Sequence, residues 1–384
     1  MFSTTAAESA THEHAFYSFL SKAYQPHPPI LDPYDQLDTN ESPIDLPNEI
    51  KADLAEHYQR AIAANRYPDG GHRVLKQAIA DYVQETGGQE TGAEVSAENI
   101  SVGNGSDELI RSLLIAVALG NGSILVASPT FSMYGILAQT LGIPVVDVGR
   151  NGQFCTDLNA AQAAMAAHPI RAVFMVHPNS PTANPLSDNE IAWLRQLPSD
   201  VLVVIDEAYF EFSQHTLVTD SLSRSNWVIL RTFSKAFRLA AHRVGYAVAQ
   251  PELINALEKV RLPYNLPSFS QAAALTALTH RTSLLANVDS TITERHQMAT
   301  WLGEQATIAA WPSAANFIYC RLSDKGLARW GMAQAEGLSH IFSTLRQQGT
   351  LIRYTGGGLR ISLGTAEENQ RTRTHLAATV SWSP

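Results

Sequence analysis

The stretch Trp227-Val228-Ile229-Leu230-Arg231-Thr232-Phe233-Ser234-Lys235-Ala236-Phe237 joins a short apolar segment to a loop that carries one lysine. A second apolar segment, Val201-Leu202-Val203-Val204-Ile205, runs directly into Asp206-Glu207-Ala208-Tyr209. Both segments are continuously apolar rather than alternating, which is typical of strands that helices cover on both faces. We therefore expect a largely parallel sheet in which an acid and a lysine follow the ends of two strands.

Two further apolar segments, Ser123–Ala127 and residues 171–176, are also followed by polar, proline-containing loops. Residues 108–119 have helical spacing, and Val244–Ala249 resembles another strand. Open α/β sheets bind ligands just beyond the carboxyl ends of their strands. The loops that follow these four strands therefore predict one shared site.

The length of 384 residues exceeds that of a typical single domain, so we expect two lobes of unequal size. Residues 1–60 are interpreted as an N-terminal arm with part of a small lobe. Residues 61–274 form the large lobe, which carries the shared site, and residues 275–384 complete the small lobe.

Composition excludes several classes of partner. The net charge is −9, from 27 Lys+Arg against 36 Asp+Glu, and nucleic acids and anionic membranes both require clustered cations. The two cysteines, Cys155 and Cys320, form no paired pattern, which favours reduced thiols in the cytoplasm. We expect no signal peptide, no membrane span and no metal site.

A lysine and an aspartate at neighbouring strand ends suit the cofactor pyridoxal 5'-phosphate (PLP). The lysine forms a Schiff base with the aldehyde, and the aspartate partners the pyridinium nitrogen. That nitrogen would also compensate the cost of burying the Asp206 charge. The alternative interpretation is structural, with Lys235 on the surface and Asp206 capping a helix.

Candidate groups for the cofactor phosphate lie in two places. The stretch Gly103-Asn104-Gly105-Ser106-Asp107-Glu108 opens a helix, where the first N–H groups can cradle an anion, although an ordinary capped helix has the same pattern. Ser234 and Arg243 flank Lys235 with a hydroxyl and a permanent cation. Arg243 and the apolar neighbours of Lys235 are also expected to lower its pKa.

Other side chains have a functional and a structural interpretation. Tyr209 and Asn179 suit the 3′ oxygen of the cofactor, and Tyr134 suits stacking on its ring. Arg353 and Arg360 lie among apolar strand residues, a setting in which an arginine often binds a carboxylate or phosphate, and Arg353 equally suits a solvated strand edge.

Together these motifs resemble the fold type I aminotransferases and, within them, the histidinol-phosphate aminotransferase branch. The resemblance extends over nearly the whole chain, through Leu37-Asp38-Thr39-Asn40-Glu41-Ser42-Pro43, Arg66-Tyr67-Pro68-Asp69, Gly103-Asn104-Gly105-Ser106-Asp107-Glu108, Pro129-Thr130-Phe131, Asp206-Glu207-Ala208-Tyr209, Arg231-Thr232-Phe233-Ser234-Lys235-Ala236-Phe237, Pro263-Tyr264-Asn265, Ala315-Asn316-Phe317 and Leu359-Arg360-Ile361. It implies an α/β fold of type I, with a mostly parallel seven-stranded sheet between helices in the large lobe and a smaller α/β lobe. It also implies a homodimer with PLP between its lobes.

The resemblance assigns roles to individual residues. Lys235 would be the Schiff-base lysine and proton shuttle, with Asp206 and Tyr209 as the other catalytic residues. Tyr67 would reach the cofactor phosphate of the neighbouring subunit. The cofactor-binding residues would be Ser106, Asp107, Tyr134, Asn179, Asp206, Tyr209, Ser234, Lys235, Arg243 and Tyr67. The substrate-binding residues would be Tyr24, Asn40, Arg353 and Arg360.

The chain departs from the family pattern in two loops. The usual Asn-Asn-Pro-Thr-Gly reads Asn179-Ser180-Pro181-Thr182-Ala183, so either Asn179 or Ser180 would contact the cofactor ring. Near the lysine, Arg238 replaces a glycine, and Leu239-Ala240-Ala241-His242-Arg243 replaces Leu-Ala-Gly-Leu-Arg. These changes leave the lysine and the arginine in place.

The implied reaction is PLP-dependent, ping-pong transfer of an amino group from L-histidinol phosphate to 2-oxoglutarate, giving imidazole acetol phosphate and L-glutamate. An aromatic amino acid aminotransferase shares every catalytic residue and remains an alternative. A threonine-phosphate decarboxylase on the same scaffold is a second alternative. A PLP-binding regulator is disfavoured because the acidic chain does not suit DNA.

Overall fold

The structure is a computed structural model that describes residues 34–88, 94–120 and 122–381. Its strands are β1 (Asp35–Gln36), β2 (Ile100–Asn104), β3 (Ser123–Ala127), β4 (Val145–Val148), β5 (Ile170–Val176), β6 (Leu202–Asp206), β7 (Trp227–Thr232), β8 (Val244–Ala249), β9 (Ile308–Ala310), β10 (Phe317–Leu322), β11 (Thr350–Leu351), β12 (Arg353–Thr355) and β13 (Gly358–Ser362).

The α-helices are α1 (Asn48–Ala61), α2 (Arg73–Val83), α3 (Gly105–Val117), α4 (Met133–Thr140), α5 (Leu158–Ala167), α6 (Asp188–Arg195), α7 (Phe210–Ser213), α8 (Val218–Ser223), α9 (Pro251–Val260), α10 (Ser268–Thr279), α11 (Arg281–Leu285), α12 (Asn287–Glu304), α13 (Asp324–Trp330), α14 (Gln334–Gln347) and α15 (Ala366–Val380). Within the described ranges, none of these helices combines the length and apolar character needed to cross a bilayer.

A seven-stranded sheet in the order β2-β8-β7-β6-β5-β3-β4 forms the centre of the large lobe. The pairs β7–β6, β6–β5, β5–β3 and β3–β4 are parallel, whereas β8 runs antiparallel to both β2 and β7. The predicted α/β fold with a mostly parallel sheet is therefore confirmed. Because β8 is reversed, its first residues lie at the same edge as the carboxyl ends of β2 and β7.

Apolar side chains on both faces of the strands explain why β6 and β7 read as continuous apolar runs. Val203 and Ile205 belong to a core on one face of the sheet, and Leu202 and Val204 belong to a second core on the other face. Successive strand residues point to opposite faces, so each strand needs an apolar residue at every position. Helices α3 and α9 contribute to the second core.

The small lobe contains a four-stranded antiparallel sheet in the order β12-β13-β10-β9. Helices α12, α14 and α15 pack on it through buried residues such as Met298, Leu338 and Leu376. Strand β1 pairs in parallel with β11, and Leu37 joins the core of this lobe. Segments from both ends of the described chain therefore pack together, while the exact domain boundaries stay predictions.

We expect Gly245→Ala to lower the free energy of unfolding by about 2 kcal/mol or more, because a Cβ at this position would lie 2.4 Å from the Ser106 nitrogen. Denaturant titration would measure the change. Gly135→Ala in helix α4 is the matched control, since its Cβ would meet nothing within 4 Å. This control should be neutral or slightly stabilising, and a Gly245→Ala protein as stable as the control would contradict the close packing of α3 on β8.

Candidate active site

A cavity of about 440 Å³ lies where the loops after β3, β5, β6 and β7 meet the start of β8. This is the edge of the sheet at which the sequence predicted a shared site. The predicted site residues that line the cavity are Asn40, Ser106, Asp107, Asp206, Tyr209, Ser234, Lys235, Arg243, Arg353 and Arg360. Tyr24 lies outside the described residues.

Lys235 projects its amine towards the backbone, where Nζ donates a hydrogen bond to the Thr39 carbonyl oxygen at 2.8 Å. The pKa of Lys235 is lowered to about 8, chiefly by burial and further by the cation of Arg360. A lysine with this pKa is partly neutral near pH 8, whereas a free lysine is almost fully protonated there. The environment thus gives the amine the lone pair that a nucleophile needs.

Asp206 ends β6 and is 3% exposed. Its Oδ2 accepts a hydrogen bond from the Tyr134 hydroxyl at 2.7 Å, and its Oδ1 accepts one from the Ala208 amide at 3.0 Å. Burial is the main reason that its pKa is raised to about 6. An ionised aspartate with this pKa destabilises the fold by about 3 kcal/mol above pH 6. A cationic ring nitrogen beside the carboxylate would offset that penalty.

The first turn of α3 meets the start of β8. Gly105 has a φ of +73°, and its amide donates to the Arg243 carbonyl at 2.8 Å. The Arg243 guanidinium lies 3.2 Å from Asp107 Oδ2 and 3.4 Å from Ser234 Oγ. A helix N-terminus, a hydroxyl and a guanidinium are the donor set that binds phosphate. The residues of this corner therefore fit the phosphate of a cofactor.

The segment Asp38-Thr39-Asn40 crosses the site from the small lobe. The Asp38 carbonyl accepts from Arg360, the Thr39 carbonyl accepts from Lys235, and Asn40 Nδ2 donates to the Tyr209 hydroxyl at 3.0 Å. The sequence indicated Asn40 but missed the two carbonyl groups, because backbone acceptors leave no signal in residue types.

Arg353 and Arg360 are direct cross-strand neighbours on β12 and β13. Arg360 donates to Ser180 Oγ at 3.2 Å, while its Nε has no hydrogen-bond partner among the described residues. Burial lowers the pKa of Arg360, and the adjacent Arg353 lowers it further. Two neighbouring guanidinium groups in a cavity wall suit an anionic ligand that would compensate both charges.

Comparisons with known proteins agree with this geometry. The model of the family described as aminotransferase class I and II matches residues 35–376. The chain belongs to this family. A histidinol-phosphate aminotransferase of Trichodesmium erythraeum is 59% identical over 361 residues, covering 91% of this chain and 95% of that protein. One of Thermosynechococcus vestitus is 52% identical, covering 90% and 91%.

Solved structures support the fold of this aminotransferase. The histidinol-phosphate aminotransferase of Sinorhizobium meliloti, in complex with pyridoxal-5'-phosphate, superposes with a TM-score of 0.78 at 21% identity, covering 99% of this chain and 96% of that one. The L-threonine-O-3-phosphate decarboxylase of Porphyromonas gingivalis gives 0.72 at 20% identity, covering 90% and 99%. At these identities the likeness shows the fold and does not separate the two activities.

Tyr134 lies behind the cavity wall of this aminotransferase rather than in it. Its side chain is fully buried, stacked on Phe174 at 4.9 Å, with its hydroxyl on Asp206. Phe131, edge-on to Tyr134 at 5.4 Å, lines the cavity instead. The difference arises because Tyr134 lies inside helix α4, whereas Phe131 lies in the loop before it.

Asn179 is also buried behind the wall, where its Nδ2 donates to Thr182 Oγ1 at 2.6 Å and to the Pro129 carbonyl at 3.0 Å. Of the two residues that the altered loop left open, Ser180 lines the cavity.

Tyr67 lies away from the cavity of its own chain. It is 81% exposed and stacks on Tyr264 at 4.6 Å.

We expect the rate at which the cofactor-free protein captures PLP to rise about tenfold per pH unit below pH 8 and to level off above it, because only the neutral Lys235 amine reacts and its pKa is about 8. Stopped-flow absorbance would measure this rate. Arg360→Gln removes a cation that lowers the pKa, so its plateau should move to higher pH. A wild-type rate that keeps rising to pH 10 would contradict the lowered pKa.

Proposed function

We propose that this protein is a histidinol-phosphate aminotransferase, which transfers the amino group of L-histidinol phosphate to 2-oxoglutarate with PLP and forms imidazole acetol phosphate and L-glutamate. The main observation in its favour is the cross-strand pair Arg353 and Arg360, which lines the same cavity as Lys235. The relatives that are 52–59% identical carry this activity in their names.

Each part of the cavity has a role in holding PLP. The first turn of α3, Ser234 and Arg243 would bind the phosphate, and Asp206 would hold the ring nitrogen in its protonated state. Phe131, which lines the cavity, would stack on the ring in place of Tyr134, and Ser180 would contact the ring in place of Asn179. When bound, PLP supplies the aldehyde that carries the amino group and a ring that accepts electrons.

Lys235 then acts as the acid–base group of the transfer. Its Nζ would take the proton from the substrate carbon and later give it back, and a pKa near 8 suits both roles. Tyr209, held by Asn40, would position its hydroxyl at the 3′ oxygen of the cofactor. Arg353 and Arg360 would bind the phosphate of one substrate and the carboxylate of the other.

An aromatic aminotransferase and a threonine-phosphate decarboxylase are less favoured. Both can share the fold and the lysine, so the difference lies in the ligand that the two arginines hold.

A cytoplasmic location stays a prediction from the reduced cysteines.

We expect the PLP form to convert rapidly to its amino form with L-histidinol phosphate and far more slowly with L-phenylalanine or L-threonine phosphate, followed by cofactor absorbance without an acceptor. L-Histidinol, which lacks the phosphate, is the matched control. Its kcat/KM should be at least about 100-fold lower, since two charge-assisted contacts are lost. Lys235→Ala should abolish conversion. Equal rates with histidinol and its phosphate would contradict the proposal that Arg353 and Arg360 bind the substrate phosphate.

A homodimer is part of the same proposal. Tyr67 and Tyr264 are exposed and stack on each other at 4.6 Å, and Val74 and Leu262, close to them in sequence, are large exposed apolar side chains as well. A concentration of exposed apolar side chains often marks a protein interface. A second copy of the chain would cover these side chains, and Tyr67 would reach the cofactor phosphate of the partner.

Subunit mixing tests that sharing of sites. Lys235→Ala should be inactive alone and Tyr67→Ala only weakly active. Their mixture should recover up to about a quarter of wild-type activity, because half of the dimers are hybrids with one intact site. Lys235→Ala mixed with Arg243→Ala is the control, and it should give no recovery because both residues serve their own subunit. No recovery in the first mixture would place Tyr67 outside the partner's site.

A further inference from the structure

The hairpin β12–β13 carries Arg353 and Arg360 on its strands and turns through Gly356 and Gly357. The tip of the hairpin touches the large lobe at Gly356. A Cβ there would lie 2.8 Å from Pro129 Cβ and 3.0 Å from Pro181 Cγ. Both distances are below ordinary carbon contacts, so only a glycine allows the tip to approach so closely.

The two prolines belong to the loops that form the opposite wall of the cavity. Pro129 precedes Thr130 and Phe131, both of which line the cavity. Pro181 follows Ser180, whose hydroxyl accepts a hydrogen bond from Arg360. The tip therefore rests on the loops that present the ring-stacking side chain and the hydroxyl partner of a substrate arginine.

The small lobe holds the tip from the other side. The Gly356 carbonyl accepts from the Tyr319 hydroxyl at 2.6 Å and from the Arg321 guanidinium at 2.9 Å. Tyr319 in turn packs edge-on against Phe154 at 5.4 Å, and the Trp311 indole donates to the Gly152 carbonyl at 3.1 Å. The tip thus has little freedom to move away from the prolines.

We propose that Gly356 is a positioning residue for substrate recognition. Its contact with Pro129 and Pro181 sets the distance between the hairpin β12–β13, which carries the two arginines, and the loops after β3 and β5, which form the opposite wall of the cavity. The proposal rests on the proposed function, because it concerns how the arginines meet the anion of the substrate. A side chain at Gly356 would push β12 and β13 outward. Charge-assisted hydrogen bonds depend steeply on geometry, and misplacement by 1 Å can cost about 100-fold in rate.

Cofactor binding should be insensitive to this displacement. Lys235, Asp206 and Arg243 lie after β7, at the end of β6 and before β8, all in the large lobe. An outward shift of the hairpin leaves these residues in place. The expected signature is therefore a higher KM for substrates with an unchanged affinity for PLP.

Gly356→Ala tests the proposal, with Gly357→Ala as the matched control. Both positions have positive φ, +60° and +72°, so both alanines carry similar backbone strain. At Gly357, however, the nearest atom to a Cβ would be an Arg321 nitrogen at an ordinary 3.5 Å. We expect Gly356→Ala to raise the KM for L-histidinol phosphate and for 2-oxoglutarate at least about tenfold, and Gly357→Ala to stay within about twofold.

Equal effects of the two alanines would overturn the proposal, because backbone strain alone would then explain them. A parallel loss of PLP affinity would also overturn it. If Gly356→Ala does not fold, Tyr319→Phe provides the second measurement. It removes one of the two hydrogen bonds to the Gly356 carbonyl, keeps the aromatic ring, and should raise both KM values about threefold. KM values of Tyr319→Phe equal to those of the wild-type enzyme would contradict the positioning role of Gly356.

The same data separate the proposed function from the positioning role. If the wild-type enzyme fails to convert L-histidinol phosphate, the proposed substrate is wrong. The KM for 2-oxoglutarate, measured with whichever amino donor the enzyme accepts, still compares Gly356→Ala with Gly357→Ala. A selective rise for Gly356→Ala would support the positioning role, and no rise would refute it.

Discussion

The buried ion pair between Glu207 and Arg231 is the constraint on which the site depends. Glu207 Oε2 and an Arg231 terminal nitrogen lie 2.9 Å apart, and both side chains are almost completely buried. Glu207 directly follows Asp206, and Arg231 lies in the strand that leads to Lys235. The pair therefore ties together the ends of the two strands that carry the acid and the lysine. Removing one partner of such a pair commonly costs about 3–5 kcal/mol, because it leaves the other charge buried without compensation.

The two lobes divide the chemistry between them. The large lobe holds the groups proposed to bind and activate a cofactor, while the small lobe supplies the arginines proposed to bind the substrate. Ser362 on β13 connects the two, because its hydroxyl bonds both to the Asn40 amide and to the Asn40 side chain. Asn40 then holds the Tyr209 hydroxyl at the end of the large sheet. A few polar contacts therefore connect the strand that carries Arg360 to Tyr209, which is proposed to bind the cofactor.

Sequence reasoning located the groups whose position follows from strand ends. Lys235, Asp206 and Arg243 line the cavity because the carboxyl ends of parallel strands, and the start of one reversed strand, share an edge. It did not distinguish Phe131 from Tyr134, or Ser180 from Asn179, because the direction of a loop side chain depends on tertiary contacts. Asn179, for example, is turned inward by Thr182 and the Pro129 carbonyl. The role of Gly356 depends on a contact between distant parts of the chain, which no local pattern records.

The segment Asp38-Thr39-Asn40 has a consequence for how this chain can vary in length. These three consecutive residues form separate hydrogen bonds to Arg360, Lys235 and Tyr209. Their spacing along the backbone therefore fixes the relative positions of three side chains in the cavity. An insertion or deletion of one residue would shift the register of all three hydrogen bonds at once, and a single substitution would not restore them. We therefore expect insertions and deletions to be tolerated on either side of Asp38-Thr39-Asn40 but not within this segment.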